Sequence, residues 1–261
     1  MGAQPEGVAD DERRRRLTTM ADSMSGPMPA HVAFVCAMPM ELKPLVRRLA
    51  LKKSQVDGVT VHTGTLGSDP VVAIVTGMGP QLATAGIERL LDVMPVSRVV
   101  VVGITGALEN VTPIGTLVLP ETVVDGATGT EYRPSPLGGG TATGKMWTTD
   151  GITTDPDVLA RLRAEGVVSL DMETAALAAV CDRRGIPWSV FRVISDRASD
   201  GTIDEEVFHM SNQDGTPNPR AIVRYFLKHP RRLVSMPRMA RGAVLAAAKA
   251  ADAAISACRV A

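Results

Sequence analysis

The chain has few cysteines, and their spacing excludes the usual cysteine-based scaffolds. Its 261 residues include three, Cys36, Cys181 and Cys258, which lie far apart and form no Cys-x-x-Cys pair. A zinc ribbon and a disulfide framework are therefore excluded, and the cysteine usage fits a reducing, cytoplasmic location. The four histidines share no ligand-like spacing, so the sequence predicts no metal site.

An excess of charge and long apolar runs are also missing. Lys plus Arg and Asp plus Glu both total 28, so the net charge is zero and neither nucleic acid nor an anionic membrane surface is an expected partner. No apolar run approaches the roughly 20 residues of a membrane-spanning helix. After "DDERRRR" the first 29 residues continue with polar residues and not with an apolar segment. They are expected to form a disordered leader, with a basic targeting arm as the alternative.

The remaining chain alternates between strand-like and helix-like segments from residue 31 onward. Four successive valines in "SRVVVVGITGAL" indicate a strand buried on both faces. "VTVHTGTL" and "PVVAIVTGMG" predict a hairpin, and Pro80 opens a helix that runs to about Met94. Leu42 and Leu45 have helical spacing, with Pro44 expected in the first turn. These segments predict the α/β class, with a three-layer α/β/α fold around a central mixed β-sheet in one domain over residues 30–261.

One long segment interrupts this alternation. Residues 125–145, "DGATGTEYRPSPLGGGTATGK", are rich in Gly, Pro, Ser and Thr. A loop of this length inside a compact domain is either a mobile lid over a site or a flexible insertion.

Four acidic residues occupy positions where a predicted strand ends or a helix begins. Glu41 follows the first strand, Asp171 and Glu173 open the segment "DMETAALAAVC", and Asp196 follows "WSVFRVIS". Ligands of open α/β sheets bind beyond the carboxyl ends of the strands. We therefore expect these carboxylates to converge on one cleft.

The two acids of "LDMETAALAAVC" have different expected environments. The residues three, four and seven positions after Glu173 are all apolar, so Glu173 heads the buried stripe of its helix. There it either binds a ligand or serves the protein itself, as a helix cap or as a partner for Arg192. For Asp171 the pattern favours a structural role, as an N-cap or as the partner of Arg192.

Four motifs, "AMPMEL", "GITGAL", "SLDMETAALAAVC" and "VISDRASD", resemble in their order and spacing the nucleoside phosphorylase and nucleosidase superfamily. The likeness is closest to the methylthioadenosine/S-adenosylhomocysteine nucleosidase branch and covers about residues 31–200. It implies a phosphorylase/hydrolase-like fold, a small-molecule purine nucleoside as substrate, no cofactor, and a homodimer.

The resemblance also implies a role for individual residues. Asp196 would be the general acid that protonates N7 of a purine, and Glu41 would orient or deprotonate the attacking water. Glu173 would bind the 2′ and 3′ hydroxyls of the ribose, against which Met172 would pack. Asp150 would either meet the purine edge or belong to a turn. The other residues expected to bind substrate are Gly103, Thr105, Gly106, Ile152 and Ser195.

Hydrolysis is favoured over phosphorolysis. Family phosphorylases of the hexameric type carry an arginine two residues before the glycine of the "GxxGA" element, and here Val101 occupies that position. Breaking a C1′–N9 bond passes through an oxocarbenium-like state, which an acid at the base and a carboxylate at the ribose would stabilise. The sequence therefore predicts a purine-nucleoside N-ribosyl hydrolase. The alternatives are a phosphorylase, a hydrolase of a larger nucleoside such as futalosine or an adenosyl-lipid, and a non-catalytic nucleoside-binding protein.

Overall fold

Strands and helices alternate along the chain, as the apolar pattern predicts. The computed structural model describes residues 29–151, 153, 155–197, 218, 220, 224, 228 and 232–260. The predicted leader, apart from its last residue, and the predicted substrate-binding residue Ile152 lie outside the described residues. The strands are β1 (His31–Cys36), β2 (Lys52–Val56), β3 (Val59–Leu66), β4 (Asp69–Val75), β5 (Val96–Ala107), β6 (Leu117–Val118), β7 (Thr122–Asp125), β8 (Glu131–Tyr132), β9 (Lys145–Thr148), β10 (Val167–Asp171) and β11 (Trp188–Arg197). The helices are α1 (Pro39–Arg48), α2 (Pro80–Val93), α3 (Pro156–Ala164), α4 (Thr174–Arg184) and α5 (Arg232–Arg259).

All of the described strands belong to one mixed sheet, in the order β2-β3-β4-β1-β5-β10-β9-β7-β8. β1 is parallel to β4 and β5, whereas β10 pairs antiparallel with the end of β5 beyond β1. The other edge of β5 carries β11 in parallel, and β6 pairs with β11. The predicted hairpin is present as β3 and β4, which are antiparallel around Gly67. The carboxyl ends of β1, β5 and β11 therefore meet at one edge of the sheet.

Helices cover both faces of the sheet, which confirms the three-layer architecture. The valine run of β5 alternates between two cores. Val99 and Val101 pack into the core beneath α2 and α4, and Val100 and Val102 into the one beneath α1 and α5. All four are buried, as expected for a strand covered on both faces. No helix among the described residues combines the length and the apolar character needed to span a membrane.

Helix α1 starts one turn earlier than the sequence predicts. Its first residue is Pro39, so Pro44 lies inside the helix and not in its first turn. The N-cap, Met38, donates its backbone N–H to the Glu41 carboxylate at 2.9 Å. This bond satisfies a donor that the start of a helix leaves without an intrahelical partner. The helix boundary and the position of Glu41 are thus set together.

The glycine-rich segment 125–145 is not a lid. The N–H of Ser135 donates to the Trp188 carbonyl at 2.7 Å, and the Ser189 hydroxyl donates to the Ser135 carbonyl at 2.7 Å. Trp188 begins β11, and Asp196 lies eight residues further on, about 26 Å away along an extended strand. The segment is therefore anchored at the end of β11 that is remote from the predicted site.

Alanine substitution is expected to have opposite effects on the free energy of unfolding at two mid-helix glycines. A Cβ on Gly86 of α2 would lie 2.8 Å from Thr76 Cγ2 and 3.0 Å from Thr76 Cα, whereas one on Gly242 of α5 would meet only the Ser195 carbonyl at 3.9 Å. We expect Gly86→Ala to lower the free energy of unfolding by about 1–3 kcal/mol, because backbone must move. Gly242→Ala should raise it by up to about 1 kcal/mol through helix propensity. Urea denaturation of both variants measures the difference, and equal effects would contradict the close contact of α2 with the sheet.

Candidate active site

A cavity of about 290 Å³ lies at the carboxyl ends of β1, β5, β10 and β11. Glu41, Asp171, Glu173 and Asp196 all line it, although they come from three separate parts of the chain. The predicted convergence of these acids on one cleft is confirmed. Its cause is the parallel arrangement of β1, β5 and β11, whose ends point to the same edge of the sheet.

Arg192 of β11 lies at the centre of the acidic residues. Its Nη2 donates to Asp171 Oδ2 at 2.8 Å and to Glu173 Oε2 at 3.2 Å, and its Nη1 lies 3.6 Å from Glu41 Oε1. The side chain is 2% exposed. Burial acts to lower the pKa of Arg192, but the three carboxylates outweigh burial and raise it. The guanidinium therefore stays charged and pairs with both acids that the sequence offered as its partners.

Glu41 is fully buried and held by backbone donors. Its Oε2 accepts from the N–H groups of Ala37 and Met38, and its Oε1 accepts from the N–H of Ile104, each at 2.9 Å. Burial raises the pKa of Glu41, while Arg192 and the three N–H groups act in the opposite direction. A carboxylate offers about four acceptor positions. Glu41 therefore keeps about one for a further donor.

Gly103 supports this arrangement from beneath and does not line the cavity. A Cβ at this position would lie 2.7 Å from Arg192 Nη1 and collide with Glu41. Gly103 is not among the residues that line the cavity, and the approach of a ligand to its backbone stays a prediction. The space that its missing side chain leaves is filled by the contact between Glu41 and Arg192.

Glu173 is the N-cap of α4, but its carboxylate does not cap its own helix. Oε1 accepts from the N–H of Gly79 at 2.9 Å, and Gly79 is itself the N-cap of α2. Burial raises the pKa of Glu173 to about 7; Asp171 and Glu41 add to the rise, and Arg192 and the Gly79 N–H oppose it. With one protein donor on each oxygen, Glu173 keeps about two acceptor positions. It is a partner of Arg192 and has acceptor positions open toward the cavity.

Asp196 is positioned by a bulge in β11. Ile194 pairs with Thr105 and Asp196 pairs with Gly106, so Ser195 is an extra residue in the register. The Ser195 hydroxyl donates to Asp196 Oδ1 at 2.5 Å. A Cβ on Gly106 would lie 3.3 Å from Asp196 Oδ2, so the glycine lets the carboxylate lie close to β5. Ser195 and Gly106 both line the cavity, as predicted.

The apolar wall of the cavity contains three methionines that the sequence pattern did not predict. Met172 lines the cavity, as predicted, and so do Met38, Met40 and Met78. The positions of these three residues in the sequence could have identified them. Each follows closely on the end of a strand, as the acids do. Thioether side chains are flexible and polarizable, so they adapt to apolar ligands of different shape.

Two threonine-containing segments complete the site. Thr105 lines the cavity, and its hydroxyl donates to the Leu170 carbonyl at 2.7 Å, which leaves acceptor positions for a ligand. The loop after β9 contributes Thr149, Gly151 and Thr153. Asp150 of the same loop is exposed and is not among the residues that line the cavity, which favours the turn interpretation.

The amino-acid sequence of this chain is similar to that of known proteins. The sequence pattern of the phosphorylase superfamily matches residues 31–139 and 137–228. The 5′-methylthioadenosine/S-adenosylhomocysteine nucleosidase of Chromohalobacter salexigens is 28% identical over 201 residues, which are 64% of this chain and 84% of that protein.

Solved structures share the fold at lower identity. The 5′-methylthioadenosine/S-adenosylhomocysteine nucleosidase of Helicobacter pylori, complexed with a pyrrolidinol that carries a pyrrolo-pyrimidine, aligns with a TM-score of 0.66 at 15% identity, covering 89% of this chain and 99% of that one. The native futalosine hydrolase of the same organism aligns with a TM-score of 0.63 at 16% identity, covering 86% and 95%.

The charge balance around Arg192 predicts a large, pH-dependent loss of stability in Arg192→Met. Three buried carboxylates would lose their cation, which costs about 3–5 kcal/mol when one partner of a buried pair is removed. Burial already raises the folded-state pKa values of Glu41 and Glu173, and without the guanidinium they would rise further above their unfolded values. Their ionisation therefore opposes folding increasingly as the pH rises.

Urea denaturation at pH 5 and pH 8 tests this prediction, with the larger loss expected at pH 8. Arg184→Met is the matched control, since Arg184 pairs with Asp92 on the surface with 40% of its side chain exposed. It should change the free energy of unfolding by less than about 1 kcal/mol. An Arg192→Met loss that is the same at both pH values would contradict the role of Arg192 as counter-ion.

Proposed function

The chain belongs to the phosphorylase superfamily, and on this premise we propose that it is a purine-nucleoside N-ribosyl hydrolase. It would cleave the C1′–N9 bond of methylthioadenosine, S-adenosylhomocysteine or a related 5′-substituted nucleoside. The observation that carries the proposal is the convergence of Glu41, Glu173 and Asp196 on one cavity. The curated nucleosidase relative supports the same reaction class.

Asp196 is the proposed general acid. The departing purine gains negative charge as the C1′–N9 bond breaks, and a proton delivered to N7 relieves it. Asp196 lines the cavity with Oδ2 close to Gly106, and Oδ1 accepts from Ser195. The serine would therefore orient the carboxyl group that delivers the proton.

Glu173 is the proposed ribose-binding residue. Its two remaining acceptor positions suit the two hydroxyls of a ribose, both of which are donors. The same carboxylate lies near the ribose, where positive charge develops in an oxocarbenium-like transition state. Because it is buried, its interaction with that charge is stronger than it would be in water. Met172 would pack against the sugar.

Glu41 is the proposed partner of the attacking water. Its one remaining acceptor position suits a single water molecule, whose proton it would receive. Burial raises its pKa, and a carboxylate with a raised pKa is a better general base near neutral pH. Its three backbone donors fix the direction in which it acts.

Water is favoured over phosphate as the nucleophile because of the charge in the cavity. Phosphate needs cations or a set of free N–H groups. Arg192 is committed to three carboxylates, and the Arg197 Nε donates to the Thr112 carbonyl. Arg47 is exposed, and Arg48 pairs with Asp252. A phosphate dianion would thus enter a site in which carboxylates outnumber the central guanidinium.

A larger apolar 5′ substituent is the second candidate. The methionine wall suits an uncharged group, and such side chains repack around ligands of different size. The similarity in fold to a futalosine hydrolase is compatible with a larger nucleoside. This candidate uses the same acids and differs only in the group that the methionines contact.

We also infer a homodimer in the cytoplasm. The three cysteines are free thiols, which fits a reducing compartment. Lys249 of α5 donates to the Gly115 carbonyl, so this face of the helix lies beside the segment 111–117. The exposed apolar side chains near this contact support an interface with a second copy, and they are Val111, Ile114, Leu117, Val244 and Leu245.

A substrate panel tests the proposed reaction. We expect release of free base from at least one of methylthioadenosine, S-adenosylhomocysteine, adenosine, inosine and futalosine, with the same rate in the presence and absence of phosphate. Chromatography of the products measures the base and the sugar. Strict dependence on phosphate would identify a phosphorylase, and release from none of the five would contradict the enzymatic proposal.

Asp196→Asn separates catalysis from binding. Loss of a general acid is expected to lower kcat by about 10²–10⁴-fold, while the Kd for the substrate changes little because the pocket keeps its shape. Asp92→Asn, on the surface of α2, is the matched control and should leave kcat unchanged. Binding without turnover in the unmodified protein, unaltered in Asp196→Asn, would support a non-catalytic nucleoside-binding protein instead.

A further inference from the structure

The first turn of α4 is capped by residues from outside the helix. The N–H of Thr174 donates to Asp171 Oδ2 at 3.0 Å, and the N–H of Ala175 donates to the hydroxyl oxygen of Thr148 at 3.0 Å. Thr148 is the last residue of β9 and does not line the cavity. An N-cap side chain normally accepts from the N–H of the second or third helical residue, and Ala175 is the second residue of α4. Here the N-cap, Glu173, makes no such bond.

Thr148 and Asp171 are also bonded to each other. The Thr148 hydroxyl donates to Asp171 Oδ1 at 2.6 Å, so it is a donor to the acid and an acceptor for the helix at once. Both groups are buried, and the two residues are paired in the parallel register of β9 and β10. The bond is therefore fixed by the sheet and not by a mobile loop.

Most of the acceptor positions of Asp171 are occupied by the protein. Its Oδ1 accepts from Thr148, and its Oδ2 accepts from the Thr174 N–H, the Thr174 hydroxyl and Arg192. These donors fill Oδ2 and leave about one of the roughly four positions of a carboxylate, on Oδ1. Asp171 thus offers a substrate fewer acceptor positions than Glu173, which keeps about two.

We propose that Thr148 and Asp171 are positioning residues that cap α4 in place of its own N-cap residue and thereby keep the Glu173 carboxylate in the cavity. A glutamate at the N-cap next to open helix N–H groups is drawn to them by hydrogen bonding and by the helix dipole. Because Thr148 and Asp171 already accept from the first two N–H groups of α4, the Glu173 carboxylate accepts from Gly79 and Arg192 and faces the ligand. The inference rests on the proposed role of Glu173 in binding ribose.

Thr148→Val tests the proposal, since it keeps the shape of the side chain and removes the hydroxyl. The Ala175 N–H would lose its acceptor, and Glu173 is expected to turn toward its own helix. A misplaced catalytic group costs about 10²-fold, so we expect kcat/KM to fall by about 10–100-fold. Thr148→Ser, which restores the hydroxyl, should recover the wild-type value to within about threefold, a factor of three being about 0.7 kcal/mol. Thr122→Val, on neighbouring β7, is the control for the loss of a buried threonine hydroxyl away from the cavity.

A double-mutant cycle separates positioning from stability. If Thr148 acts through Glu173, then Thr148→Val in a Glu173→Gln background should lower kcat/KM by less than about twofold beyond Glu173→Gln alone, because the two changes share one target. Full additivity of the two losses would overturn the proposal, as would an unchanged kcat/KM in Thr148→Val. If Thr148→Val does not fold, Thr148→Cys, with only a weak acceptor, carries the same comparison.

The proposed function is tested separately by the wild-type protein. Release of free base by the wild type together with additive losses in the cycle would overturn the positioning inference alone. Absence of base release by the wild type would remove the proposed function. The positioning inference would then be tested by the Kd of the same variants for a ribose-containing ligand. Thr148→Val should weaken binding, and Thr148→Ser should not.

Discussion

The site depends on one buried guanidinium. Three carboxylates taken from water into this cavity without a cation would cost several kcal/mol each, and Arg192 lies within 3.6 Å of all of them. β11, β10, α1 and the start of α4 can therefore meet only if this arginine lies between them. Gly103 shows how tightly this constraint acts on the backbone, because a single methyl group on β5 would occupy the space of the ion pair.

The acids around Arg192 differ in the number of hydrogen-bond acceptor positions that the protein leaves open. Glu41 and Asp171 each keep about one acceptor position, whereas Glu173 keeps about two, although all three contact the same arginine. The difference does not come from the carboxylates but from the backbone and hydroxyl donors around them. The number of N–H and hydroxyl donors around a carboxylate therefore decides how many acceptor positions it has left for a ligand.

Much of this was predictable from the sequence. The valine run of β5 indicated a strand buried on both faces, and an arginine within the apolar strand "WSVFRVIS" required acidic partners. What escaped prediction depends on long-range register. The Gly79 amide and the Thr148 hydroxyl carry no sequence signal of their function, since each reaches the site only through the pairing and crossover of distant strands. The glycine-rich composition of residues 125–145 predicted a long loop, but it contained no information on where Ser135 would be anchored.

The numerical balance of three carboxylates to one guanidinium also bears on the proposed chemistry. A pKa of about 7 for Glu173 means that its charge is poorly compensated in the free protein. A positive charge that develops on a bound ribose would compensate it, so the interaction would be stronger in the transition state than in the ground state, which is the condition for acceleration. A second arginine would stabilise the free protein more but would cancel this difference. With no arginine, Glu173 would be protonated at neutral pH and would offer no charge. One cation among three carboxylates lies between these limits. The single arginine that stabilises the buried carboxylates would thus also leave Glu173 with a charge that the proposed reaction can use.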